Sequence, residues 1–239
     1  TDLDYQGAAG RPEISEDEIS YLLSAVGAYF KRPITREMIR WSYSGIRPLY
    51  DDGASEAQSA TRDYVLKLEG AAGAPQMLSV FGGKITTSRK LAEAALEKIA
   101  PFFPKLGKPW TAAAQLPGGL AYAQVPSYIT AQQKKYSFLK PQNVARLFRA
   151  YGTRMQEILG EARFASDLGQ WFGPLSQSEV EFLQREEFAQ TADDILWRRS
   201  KLGLHMKPAE IEALRAFMDN AAKAAEPASK PKPKRKKAG

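Results

Sequence analysis

The chain has 239 residues, 44% of them hydrophobic and 26% charged, the composition of a folded globular protein with one substantial core or two modest ones. It contains no cysteine and a single histidine, His205, which excludes disulfides, thiolate metal sites and Cys nucleophiles and leaves almost nothing for a His-based site. No apolar run approaches the roughly 20 residues that cross a bilayer, and the net charge of +7 is concentrated at one end, where residues 230–239 hold six basic side chains and no acidic one.

The body, with those six removed, is nearly neutral at +1. The chain opens at Thr1 and not at a methionine, so it is expected to be part of something longer. "SEDEISYLLSAVGAYF" predicts a helix with a capping box from Ser15 and Glu18, and Ile19, Leu22, Leu23, Val26 and Phe30 on one face. "MIRWSYSG" alternates Ile39, Trp41 and Tyr43 against Arg40 and Ser42, and predicts a strand. "DYVLKLEG" and "QMLSVFGG" predict two more strands around a Gly/Ala/Pro turn at 70–75, followed by a helix over 87–99.

Pro101, Pro104 and Pro109 break the pattern, and "LPGG" at 116–119 ends the linker. No alternating pattern follows. Helical stretches are expected at 127–136, 141–151, 154–160, 177–189, 191–201 and 207–224, with Ser176 or Ser178 as a cap and Pro208 in a first turn. The fold class is therefore α+β over 1–110 and an all-α domain over 116–224. From residue 225 the Pro/Lys-rich tail is expected to be disordered and free to touch anionic surfaces by charge alone.

Three cations border the strands: Arg47 in "SYSGIRPLYDD", Arg62 in "ATRDYVLKL" and Lys84 in "FGGKITT". Strand ends hold ligand-contacting groups in place, and two arginines with a lysine suit a dianionic phosphate. Pairing with Asp51, Asp52 or Asp63 would explain them equally. Gly82 and Gly83 permit positive φ and a close backbone approach, and Thr86 or Thr87 can cap the next helix, whose N-terminus would face an anion or an electron-rich oxygen. An ordinary strand–helix corner has the same composition. No GxGxxG is present, so a complete dinucleotide site is absent from the sequence.

Taken in order, "TDLDYQG", "WSYSGIRPLYDD", "ATRDYVLKL", "LSVFGGKITTSRKLAEAAL", "LPGG", "RFASDLGQWFG" and "TADDILWRRSKLGL" resemble the FAD-dependent, quinone-linked (aerobic) glycerol-3-phosphate dehydrogenases over roughly residues 1–220. Ser88 and Ser200 stand where that family commonly has Tyr and Thr. The resemblance implies the C-terminal part of a discontinuous FAD-binding and substrate domain, followed by the family's helical domain. It implies FAD bound at Gly82, Gly83, Lys84, Ile85 and Thr86, and glycerol 3-phosphate held by Arg47, Arg62 and Lys84, with Lys84 and Arg47 the catalytic pair.

It further implies electron transfer to membrane quinone from the cytoplasmic face of a bacterial inner membrane, a homodimer, no specific nucleic acid, no metal, and inactivity of this part alone. "ADDILWRRSKLG" carries Asp193, Asp194, Arg198 and Arg199 beside an apolar face, and is expected to be structural. The alternative to the enzyme is a non-catalytic module whose basic tail binds anionic membrane or nucleic acid.

Overall fold

The computed structural model describes residues 10, 12–46, 50, 63–71 and 73–225. The expected disorder of the tail and the positions of Arg47 and Arg62 lie outside them. The chain divides into two units, Thr1–Ala114 and Gln115–Gly239. It is mostly helical, with a two-stranded sheet in the first unit and a very short hairpin in the second.

In the first unit, helix α1 (Glu16–Gly27) opens with the capping box its sequence encodes. The Glu18 backbone N–H donates to Ser15 Oγ at 3.2 Å, and the Ser15 N–H donates to Glu18 Oε2 at 2.9 Å. These bonds satisfy donors that the first helical turn leaves free. Strands β1 (Tyr64–Glu69) and β2 (Met77–Gly82) pair antiparallel, with Tyr64 opposite Gly82 and Glu69 opposite Met77. Gln76 Nε2 closes the turn by donating to the carbonyls of Ala71 and Ala74. Helix α2 (Ser88–Ile99) follows.

The strand expected around Ile39, Trp41 and Tyr43 does not form: a single 3-10 turn, Arg36–Met38, leads into irregular backbone. Trp41 and Tyr43 do share a side, with rings stacked 5.1 Å apart. Alternation alone makes no strand, because a strand needs a ladder partner, and among the described residues none pairs with this segment.

The second unit is built from α3 (Val125–Lys135), α4 (Pro141–Tyr151), α5 (Met155–Leu159), α6 (Gln177–Glu186) and α7 (Pro208–Ala225). Ser176 caps α6 through the Glu179 N–H. Two departures from the all-α expectation occur. Strands β3 (Trp171–Phe172) and β4 (Leu175–Ser176) form a hairpin too short for an alternating pattern to register. The helix expected at 191–201 is a π-helical turn over Asp194–Arg199, in which the Ser200 N–H reaches back five residues to the Ile195 carbonyl. Ser200 Oγ donates to that carbonyl and accepts from the Leu202 N–H, so a hydroxyl closes the wide turn.

Among the described residues, the buried core belongs to this unit. Tyr136, Val144, Met155, Phe172, Val180, Ile195 and Leu214 have no exposed surface. Each buried apolar side chain contributes about 1.5–3 kcal/mol. A charged group lies inside as well. Glu179, 1% exposed, accepts both Arg146 Nη atoms at 2.7 Å and the Tyr151 hydroxyl at 2.7 Å. Burial works against the Arg146 charge, but Glu179 and Tyr151 more than restore it, and burial together with Glu179 drives the Tyr151 phenol far above its ordinary range. At the unit's entry, the Thr153 N–H donates to the Gly118 carbonyl at 2.9 Å. Gly118 and Gly152 both have positive φ and cross so closely that a Cβ on Gly152 would overlap the Gly118 carbonyl oxygen. The "LPGG" stretch is thus a steric crossing, and only glycine fits it.

Candidate functional site

The corner after β2 is made by its backbone. Gly82 and Gly83 have φ of 65° and 96°, conformations open to glycine and strained for other residues. Space reinforces the requirement. A Cβ on Gly82 would lie 3.3 Å from the Asp63 carbonyl oxygen, and one on Gly83 would lie 3.2 Å from Leu91 Cδ1 and 3.3 Å from Tyr64 Cβ. Leu91 is on α2 and Tyr64 starts β1, so both strands and the helix fix this bend.

The chain then makes a 3-10 turn, Ile85–Thr87, before α2 begins. The expected threonine cap takes a different form. Thr87 Oγ1 donates to the Lys84 carbonyl at 3.0 Å and accepts the Lys84 N–H at 3.4 Å, and makes no capping bond to α2. The tight turn draws the hydroxyl back onto Lys84 and braces the residue that carries the cation. Gly82, Gly83, Lys84, Ile85 and Thr86 are all exposed, Ile85 by 92%. They form one continuous bare surface: two glycines with no side chain, an ammonium and an apolar side chain directed outward.

Of the predicted site residues, these five come together. Arg47 and Arg62 lie outside the described residues, but their sequence neighbours converge on the same corner. Asp63, next after Arg62, borders Gly82 through its carbonyl, and the Tyr50 nitrogen, three residues after Arg47, lies 4.0 Å from the Gly82 Cβ position.

Sequence reasoning missed Tyr50. Its ring packs on Phe81 at 5.4 Å, and Lys67 Nζ sits 5.0 Å above the Tyr50 ring. A hydrogen bond and the nearby charge of Tyr50 raise the Lys67 ammonium above its usual range. The strand register held a partial signal. With Lys67 opposite Ser79, Phe81 is its diagonal neighbour on one face.

The second unit offers no comparable chemistry along "ADDILWRRSKLG". Asp194 accepts from the backbone N–H groups of Gln190 and Thr191 and pairs with Arg198 at 3.0 Å. Asp193 pairs with Arg215, and Arg199 donates to the Glu187 carbonyl. All four charged residues serve local structure. Among the described residues, no cluster of His, Asp or Glu is arranged to hold a metal ion, and no helix is long and apolar enough to cross a membrane.

Residues 109–228 match the family described as the C-terminal domain of alpha-glycerophosphate oxidase. The chain is 44% identical over 221 residues to a glycerol-3-phosphate dehydrogenase of Pseudomonas aeruginosa, a match covering 92% of this chain and 43% of that protein. It is 42% identical over 205 residues to the aerobic glycerol-3-phosphate dehydrogenase of Escherichia coli, covering 85% and 41%. It is 41% identical over 223 residues to the D-erythritol 1-phosphate dehydrogenase of Brucella abortus, covering 92% and 44%. The chain therefore spans less than half the length of these relatives.

Proposed function

Because this chain belongs to the family of the C-terminal domain of alpha-glycerophosphate oxidase, we propose that it is the C-terminal part of a flavoenzyme that oxidises glycerol 3-phosphate to dihydroxyacetone phosphate and passes the electrons to membrane quinone. The observation that carries this reading is the bare Gly82–Gly83–Lys84 corner, bordered by the neighbours of Arg47 and Arg62, in a chain 42–44% identical to two glycerol-3-phosphate dehydrogenases. The two glycines hold the bend that leaves Lys84, Ile85 and Thr86 exposed, because a Cβ at either would meet Asp63, Leu91 or Tyr64.

FAD, when bound, supplies the acceptor for the two electrons and the hydrogen leaving C2 of the substrate. Gly82, Gly83, Ile85 and Thr86 would line its ring. The Lys84 ammonium, carried on a backbone that Thr87 holds, would offer a positive charge where negative charge develops. Arg47 and Arg62 clamp the phosphate and orient C2. The sequence contains no GxGxxG, so this chain alone holds no FAD and does not turn over. Flavin absorbance that co-purifies with it would refute that statement. In the full enzyme the first unit closes the flavin site, as the returning half of a discontinuous domain, and the protein works as a homodimer on the cytoplasmic face of the inner membrane.

The test is glycerol 3-phosphate oxidation by the full-length protein with a soluble dye as acceptor. Lys84→Ala is expected to lower kcat by about 100-fold, and Arg47→Ala to raise KM more than it lowers kcat. Unchanged kinetics in both variants would sink the assignment. The similarity to a D-erythritol 1-phosphate dehydrogenase supports a second reading within the same chemistry, a four-carbon polyol phosphate as substrate. The kcat/KM ratio for the two substrates decides between them.

A further inference from the structure

Successive side chains of a strand point to opposite faces, so Leu68 and Leu78 lie on one face of the β1–β2 sheet and Lys67, Ser79 and Phe81 on the other. Helix α2 covers the first face, where its Ile99 lines a groove with Leu68 and Leu78. Tyr50 covers the second. Its ring lies 5.4 Å from that of Phe81, and Lys67 Nζ stands 5.0 Å from the Tyr50 ring and 6.0 Å from the Phe81 ring. Other cations of this unit, Arg36, Arg89 and Lys90, face the carboxylates of Glu16 and Glu93. Lys67 faces two rings instead, and the Tyr50 hydroxyl is the main group that favours its charged form.

The two glycines of the corner lean on these two layers. A Cβ on Gly83 would meet Leu91 of α2, and one on Gly82 would lie 4.0 Å from the Tyr50 nitrogen. Phe81 immediately precedes Gly82, and Lys84 follows two residues later. A two-stranded hairpin is marginal in water, so the end of β2 keeps its direction only with both layers in place.

We infer that Tyr50 and Lys67 are positioning residues for the glycine corner: the Lys67 ammonium pins the Tyr50 ring on Phe81, and that ring fixes the end of β2 from which Gly82, Gly83 and Lys84 project. The inference rests on the proposed oxidation of glycerol 3-phosphate, in which Lys84 supplies the charge. Lys67 pairs with Ser79, three residues before Gly82 and so roughly 10 Å along the strand from it. Its effect on the corner therefore passes through Tyr50. A displacement of about 1 Å at a reacting group costs on the order of 100-fold in rate, and a partial loosening costs a fraction of that.

The experiment measures dye-linked glycerol 3-phosphate oxidation by the full-length protein carrying Tyr50→Ala, Lys67→Met or Lys67→Arg, each alone and combined with Lys84→Ala. Tyr50→Ala is expected to lower kcat about 10-fold and Lys67→Met about two- to fivefold, with KM changed less. Lys67→Arg, which keeps a cation over the rings, should restore the wild-type rate. In the Lys84→Ala background neither Tyr50→Ala nor Lys67→Met should cost anything more, because the group they position is gone. Amide exchange in the peptide spanning 77–87 supplies a readout free of turnover. It should quicken in Tyr50→Ala and Lys67→Met and return to the wild-type rate in Lys67→Arg. Equal losses of kcat with and without Lys84 would mean that the two residues serve stability alone, and overturn the inference. Unchanged kcat and exchange in Lys67→Met, a substitution at an exposed position, overturn it too. A full-length protein that oxidises no glycerol 3-phosphate, while exchange over 77–87 responds to Lys67→Met and recovers in Lys67→Arg, leaves the positioning role standing and removes the enzymatic reading.

Discussion

The two units follow the same local rules and differ in what lies beneath them. Among the described residues, none before Gln132 is buried, while the second unit encloses Tyr136, Phe172, Ile195 and Leu214 completely. The first unit has a complete capping box and a six-residue strand register, yet Tyr29 is 88% exposed and Ile85 92%. A two-stranded hairpin is marginal in water without a third layer. Local signals thus shape elements, and burial decides whether they stand alone. Among the described residues the first unit buries no side chain, while the second carries its own core.

Mutations can sharpen this contrast. The largest effect is expected where charge is buried. Glu179→Ala leaves Arg146 uncompensated and should destabilise the second unit by about 3–5 kcal/mol, read from the urea midpoint of Trp171 and Trp197 fluorescence. Arg146→Met combined with Glu179→Met should cost far less, because it removes both partners. Next, Leu214→Ala should cost about 2–5 kcal/mol, whereas Val65→Ala in the first unit should move the same midpoint very little. Equal losses from the two would break the comparison.

Smaller still is Ser15→Ala, at about 1 kcal/mol of helix stability, visible as faster amide exchange across α1 alone. The smallest effect concerns pH. Burial alone would raise the Asp194 carboxyl, but the N–H groups of Thr191 and Gln190, the Thr191 hydroxyl and Arg198 hold it below the ordinary value of 3.8. Its contribution is therefore complete above that value and is lost as pH falls through the lower, folded one. Asp194→Asn should lower the neutral plateau of the second unit's stability curve slightly and flatten its acid limb, because the contribution it removes is the one present above the unfolded value.

What the sequence revealed follows the same division. The α1 cap, the β1 and β2 strands and the span of α4 were legible because each rests on neighbours within a few residues. The glycine corner was legible as a bend before a helix. Tyr50 against Phe81 was not, since that contact joins segments whose separation no local period encodes. The strand expected near Trp41 failed for the opposite reason. Its alternation was present, but a ladder is a property of two segments. The π-helical turn at Asp194–Arg199 reads as an ordinary helix, because one extra residue per turn is invisible in an apolar stripe.

The crossing of Gly118 and Gly152 has a kinetic consequence. All of α3 and α4 lies between the two glycines, so their backbones can meet only once both helices have formed and docked. A contact of that kind is absent from an early transition state and is broken first on the way out. Gly152→Ala should therefore leave the folding limb of a chevron almost unmoved and steepen escape from the native state, with the unfolding rate rising instead. The crossing acts as a latch on departure and has no part in guiding the chain in.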